Sequence, residues 1–263
     1  KKVIADSLIS IGMVYQYREN NYEKALNCNA RALTIYKNIG DMDGIGISYN
    51  SIGIVYVGIN KYDEAIDYQT RALNIHKELG DNFAIAFSLS WFGNTFTGMG
   101  FYDKALSYYK QSLEIYNKKI EAKRGTSFTL GNLGWLLSKQ GKYKKAIKYL
   151  NRSIMMFEEL GETSAMLFYL HCRGKTHYNK NEYDKAMYYF EKTQLCDTQL
   201  SSRDKTCNKI YLYLTYKQIG KKYNETEIKT LIQGTKSTNY DFEIHYSIYQ
   251  LLEDTSYLET AYN

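Results

Sequence analysis

"INKYDEAIDYQTRALNIHKELGD", residues Ile59 to Asp81, is the stretch on which the fold turns. From Tyr62 onward its apolar side chains recur at the spacing of one helical face, with charged and amide residues opposite. The run closes on Gly80, suited to a left-handed helix cap, and on Asp81, suited to opening the next helix. Just upstream, "GISYNSIGIVYVG", Gly46 to Gly58, carries apolar residues at the same helical spacing, and "INKYDE" turns the chain between the two runs. The whole predicts a pair of antiparallel helices. No single hairpin of this kind buries its apolar faces alone, so stacked neighbours must supply the core.

The neighbours are in the sequence. Tyr22, Tyr62, Tyr102, Tyr143, Tyr183 and Tyr223 recur at intervals of 40 or 41 residues. Ala25, Ala65, Ala105, Ala146 and Ala186 follow the first five, and Gly12, Gly53, Gly93, Gly134 and Gly174 keep the same beat upstream. The small residues fall where the two helices of a hairpin cross, letting the backbones approach. Six units are drawn near residues 4–43, 44–83, 84–124, 125–164, 165–203 and 204–238. Residues 1–238 thus form an array of about six helix pairs, and 239–263 a partial seventh. The third unit ends in Ile120-Glu121 in place of a glycine cap, which predicts an irregular joint. With no proline anywhere, glycine does the terminating. The chain begins "KKVIADS" and ends "SYLETAYN" inside a helical pattern, so it reads as a fragment of a longer protein.

Leu89, Phe92, Gly93 and Phe96 in one helix, then Tyr102, Ala105, Ser112 and Leu113 in the next, resemble the tetratricopeptide repeat. The unit is longer than the usual 34 residues and is similar to that of kinesin light chains and many bacterial signalling proteins. The resemblance implies an all-α, right-handed superhelical solenoid acting as a protein-interaction scaffold, with a peptide, helix or domain held in its concave groove. The tail "YQLLEDTSYLETAYN" resembles the end of arrays attached to bacterial nucleotide cyclases, which implies the alternative of a regulatory or dimerising domain.

Counted from each glycine, positions −4, −1 and +3 face the core: Leu8, Ile11, Tyr15; Tyr49, Ile52, Tyr56; Leu89, Phe92, Phe96; Leu130, Leu133, Leu137. Positions −6, −3, +1 and +4 form a second stripe on one face. By the resemblance this stripe lines the groove. Its candidate contacts are Asn50, Ile54, Phe87, Asn94, Phe128, Trp135, Phe168, His171, Lys175 and Tyr178. Aromatic anchors beside amides suit a peptide, the rings for affinity and the amides for register. The phenylalanines equally suit packing between adjacent units.

"HCRGKTH", His171 to His177, stands out because its counterparts "SWFGNTF" and "GNLGWLL" are mostly apolar or small. His171 and Lys175 fall on the groove stripe, while Arg173 and His177 fall at core positions. A buried unpaired arginine is costly, so Arg173 must pair, snorkel or lie on an opened face, with Glu182 and Asp184 as candidate partners. Two readings follow: a basic patch that accepts a carboxylate, or a degenerate unit near the array's end with its charges paired internally. The lysine and asparagine set of the carboxylate-clamp subset is missing from consecutive units.

The net charge of +6 is spread in pairs beside polar and acidic positions, so nucleic acid is not an expected partner. Four scattered cysteines without C-x-x-C spacing suit a reducing compartment, and the expected location is cytoplasmic. No apolar run is long enough to cross a bilayer. The four histidines are too dispersed for a metal site, and no nucleotide-loop or hydrolase motif occurs, so neither a cofactor nor an enzyme activity is expected. Self-association is a further expectation, through Tyr257, Leu258 and Tyr262 in the tail.

Overall fold

The computed structural model describes residues 1–118, 122–196, 200–224, 226–228, 230 and 242–252. Its helices are α1 (Lys2–Tyr17), α2 (Tyr22–Ile39), α3 (Met42–Gly58), α4 (Tyr62–Leu79), α5 (Asn82–Gly98) and α6 (Tyr102–Lys118). They continue as α7 (Lys123–Lys139), α8 (Tyr143–Glu159), α9 (Thr163–Asn179), α10 (Tyr183–Gln194) and α11 (Ser202–Gln218). A last described helix spans Phe242–Leu252. Helices pair most intimately as α1/α2, α3/α4, α5/α6, α7/α8 and α9/α10, and each second helix then packs on the first helix of the next hairpin. Each first helix also touches the next first helix, while among the described residues no comparable contact joins successive second helices. The first helices therefore line the inner, concave side of an all-α solenoid.

Local chemistry sets the element ends. Gly40 and Gly80 take the left-handed conformation that ends α2 and α4, and the carboxylates of Asp41 and Asp81 accept from the amides of Gly44 and Ala84, each at 3.0 Å. Within the hairpins the turn residue with positive φ is Asn20, Asn60, Gly100, Gly141, Asn181 or Gly220, again one per unit. Ion pairs staple adjacent hairpins, Lys2 to Asp41 at 2.6 Å and Arg124 to Glu162 at 2.5 Å.

At the crossing of α7 and α8, a Cβ on Gly134 would lie 3.1 Å from the Ala146 carbonyl oxygen and 2.8 Å from Leu150. The glycine makes room for the residue four after the conserved-beat alanine, and that residue differs in each unit. Asn29, Gln69, Tyr109, Leu150 and Phe190 fill the place in turn, all buried. Each unit also has a second-helix residue on the hairpin's other side: Tyr68, Tyr108, Tyr149 and Tyr189 in units two to five. In unit three, Phe92 and Phe96 stack on Tyr108 at 5.1 and 5.4 Å. In unit two, Tyr56 stacks on Tyr68 at 5.5 Å. Burying a side chain such as Phe92 contributes about 1.5–3 kcal/mol.

The expected core positions are buried or half-buried with one exception. Ile11 is 45% exposed, whereas its equivalents Ile52, Phe92 and Leu133 are buried. Two causes combine: no described hairpin lies before α1, and Cys28 stands where later units carry tyrosine. The joint at Ile120-Glu121 and the tail residues Tyr257, Leu258 and Tyr262 lie outside the described residues. Ile248 and Leu251 of the last described helix are buried in one cluster with Ile210 and Leu214 of α11. Among the described residues, no helix is long and apolar enough to cross a membrane.

Candidate functional site

The groove candidates sort into three groups. Asn50 and Ile54 are 3% and 7% exposed and lie inside the array. Asn50 Nδ2 donates to Ser88 Oγ of the next first helix at 2.9 Å, and the same Oγ lies 3.0 Å from Nδ1 of the buried His76. These two candidates join hairpins and present nothing to a ligand. Burial holds His76 below the usual imidazole pKa, against the pull of Asp43 and Asp81, so it sits there neutral.

The aromatic candidates do reach the surface. Phe87 and Phe168 are exposed, at 38% and 40%. Phe128 and Trp135 are half-buried. Phe128 meets Phe157 edge-on at 4.7 Å, so it serves packing as well as surface. Lys139 stands 4.5 Å over the Trp135 ring. One aromatic was not singled out in the sequence. Trp91, two residues before Gly93, lies edge-on to Phe87 at 6.3 Å and extends the apolar strip along α5. Spacing could have found it: Phe83, Phe87 and Trp91 are four apart and share a helical face.

Asn94, and a second amide that the sequence did not single out, Asn132, are aimed from below. Tyr109, passing under Gly93 from α6, donates its hydroxyl to Asn94 Oδ1 at 2.6 Å and lies 3.3 Å from Thr97 Oγ1. Tyr169 of α9 fills the space left by Gly131, where a Cβ would fall 2.3 Å from its ring. Its hydroxyl donates to Asn132 Oδ1 at 2.7 Å and is 3.1 Å from the Phe128 carbonyl. Burial pushes both phenols above their ordinary range, so they remain neutral donors. With each Oδ1 held, the Nδ2 groups of Asn94 and Asn132 are left as oriented donors without a described hydrogen-bond partner on the first-helix side. Rigid amides backed by buried hydroxyls beside Phe87, Trp91, Phe128 and Trp135 can pair with a polypeptide backbone while the rings take its side chains.

"HCRGKTH" divides between two tyrosines. His171 and Lys175 face Tyr211 of α11, the imidazole at 5.8 Å and the ammonium at 4.8 Å from the ring centroid. His171 Nδ1 lies 3.2 Å from Asn208 Oδ1, and Tyr178 meets Tyr211 edge-on at 5.9 Å. This trio therefore also joins unit five to α11. On the opposite side of α9, Arg173 stands 4.2 Å over Tyr189 and His177 stacks on the same ring at 5.4 Å. Of the two expected partners of Arg173, no described ion pair or hydrogen bond joins it to Asp184, and Glu182 is otherwise engaged. Glu182 accepts from Lys180 at 2.5 Å and from His177 Nδ1 at 2.6 Å, which lowers its pKa to about 2, and lies 3.6 Å from Lys185. Burial keeps His177 below its ordinary pKa despite this contact, so a neutral imidazole donates Nδ1–H to the carboxylate.

Helical hairpins stacked with a concave inner face define a repeat solenoid, and the sequence comparison gives its family. The model of the tetratricopeptide repeat matches residues 3–78 and 84–159, and the chain belongs to that family. No curated protein matches it. Among solved structures, a Rap protein complexed with Competence and Sporulation Factor is similar, with a TM-score of 0.73 at 17% identity, over 97% of this chain and 70% of that one. NprR in complex with its cognate peptide NprX gives 0.71 at 18% identity, over 96% and 72%. BtubC from P. vanneervenii gives 0.62 at 18% identity, over 82% and 89%. At such identities these likenesses concern the fold.

Proposed function

We propose that this chain is an interaction scaffold that binds a polypeptide segment, as peptide, helix or part of a domain, along the concave face of its first helices. The observation that carries the reading is the pair of aimed amides, Asn94 and Asn132, each held by a buried tyrosine hydroxyl at 2.6 or 2.7 Å. An oriented donor next to exposed rings is what a backbone ligand uses. The contacts are Phe87, Trp91 and Asn94 on α5, Phe128, Asn132 and Trp135 on α7, and Phe168 on α9, with His171, Lys175 and Tyr178 at the far end. That two structures of similar fold are complexes, one with Competence and Sporulation Factor and one with the peptide NprX, supports a peptide as the occupant.

The test is capture from source-cell lysate by the wild-type chain and by a Trp135→Ala, Asn94→Ala, Asn132→Ala variant of unchanged circular dichroism. Partners lost by the variant alone support the groove. Partners kept by both refute it.

One observation favours a second reading, a regulatory domain that docks or dimerises. Val3, Ile4, Ile11 and Val14 of α1 are exposed, while Ile45, Ile52 and Val55, at three of the matching positions of α3, are buried. Mass in solution that rises with concentration, and that Ile11→Lys abolishes, would favour it.

A further inference from the structure

The position one residue before the unit glycine is Ile11, Ile52, Phe92 and Leu133 in the first four units, and Arg173 in the fifth. An apolar side chain has been replaced by a permanent charge at a site built for packing. No described carboxylate compensates it. Glu182 is occupied by His177, Lys180 and Lys185, and Arg173 makes no described ion pair or hydrogen bond. Its Nε is buried without an acceptor, and it stands 4.2 Å over the face of Tyr189, with Tyr188 and His177 near enough to interact with its charge. Contact with the ring restrains the guanidinium, and the side chain as a whole is half-buried. Beside it Tyr188 is 56% exposed and packs edge-on against Tyr189 at 5.1 Å.

We propose that Arg173, seated on Tyr189 and bordered by Tyr188, is a second binding site, which takes the carboxylate of an aspartate or glutamate side chain from a partner protein. The site is separate from the concave face, because Arg173 and His177 lie across α9 from His171 and Lys175. A planar fork held over a ring matches the two oxygens of a carboxylate, and the low-dielectric surroundings that make the unpaired cation costly strengthen the pair once formed. Tyr188 offers the apolar cover that a residue flanking the carboxylate would use.

Sodium acetate, replacing chloride at constant ionic strength, serves as probe, read by the Nε–Hε resonance of Arg173 and by the urea unfolding midpoint. Acetate is expected to shift the resonance saturably and to raise the midpoint of the wild type. Arg173→Leu, which installs the residue of unit four and so preserves the packing, is expected to fold and to lose the acetate response. Arg173→Lys, retaining charge without the fork, should lose most of it. A midpoint response equal in wild type and Arg173→Leu overturns the site, as does a resonance that never moves. Saturation by inorganic phosphate with none by acetate overturns the assignment to a carboxylate.

Discussion

Units three and five use one backbone plan to opposite chemical ends. On the outer side of the hairpin, unit three stacks Phe92 and Phe96 on Tyr108, whereas unit five puts Arg173 and His177 on Tyr189. Under the glycine the polarity reverses. Unit three sends the Tyr109 hydroxyl through to Asn94, and unit five fills the place with Phe190. The comparison separates what the fold demands from what it permits. It demands a small residue at the crossing and a buried side chain beneath it. It does not demand apolar side chains on the outer side or under the glycine, as Arg173 and Gln69 show.

Exchanging the two units' residues should cost most where no exit exists. Phe92→Arg would place a guanidinium in a site only 4% exposed and covered by a hairpin on each side. With no carboxylate at hand, the expected loss is about 3–5 kcal/mol in urea unfolding. Close behind comes Ala105→Leu, which overpacks a fully buried crossing and should cost about 1–3 kcal/mol. The reverse exchange has the opposite sign. Arg173→Leu removes an uncompensated charge and should raise stability by about 1 kcal/mol. A loss of stability instead would mean that Tyr189 holds Arg173 more tightly than its packing neighbours suggest.

The sequence carried the periodicity, the caps and the crossing glycines without ambiguity, because each is a local rule repeated every 40 residues. Ile11 shows where local rules stop: its pattern is that of a core residue, but its exposure depends on the absence of a described hairpin before α1. Asn50 fails for a related reason. Helical phase placed it on the groove stripe, yet whether the −3 position is open or closed depends on the next unit, where Ser88 receives it. The aiming of Asn94 and Asn132 was equally out of reach. It requires knowing that Tyr109 comes from the same hairpin while Tyr169 comes from the following one, which no spacing within a helix reveals. Phase splits "HCRGKTH" into the same two pairs that meet Tyr211 and Tyr189, but the competition for Glu182 is a matter of distances.

The histidine of unit five allows a test by pH. His177 is depressed by burial, so the folded state takes up a proton less readily than the unfolded chain. Its contribution is fully present above the unfolded pKa of about 6.5 and is lost as pH falls through the lower folded value. His76 acts in the same direction. Unit three has phenylalanine at the position of His177, so His177→Phe should flatten the decline in stability in the window that opens below about pH 6.5. Glu182 enters only below that window, its stabilising effect fading as pH falls from the carboxylate range toward about 2. An unchanged slope in the variant would assign the decline to His76.

The smallest expected effect on stability comes from the inner half of the comparison. Asn94→Ala deprives the Tyr109 hydroxyl of its 2.6 Å acceptor, but Thr97 Oγ1 at 3.3 Å can take the bond over. An orphaned buried hydroxyl would cost about 1–3 kcal/mol, and with the substitute acceptor the loss should stay below about 1 kcal/mol. Asn132→Ala has the same protection, since the Phe128 carbonyl lies 3.1 Å from the Tyr169 hydroxyl. Both substitutions therefore test recognition almost free of folding. If the amides serve a ligand's backbone, each variant should weaken partner capture while leaving the urea midpoint nearly unmoved. If they serve only the tyrosines, capture should stay at the wild-type level, because the substitute acceptors hold the midpoint.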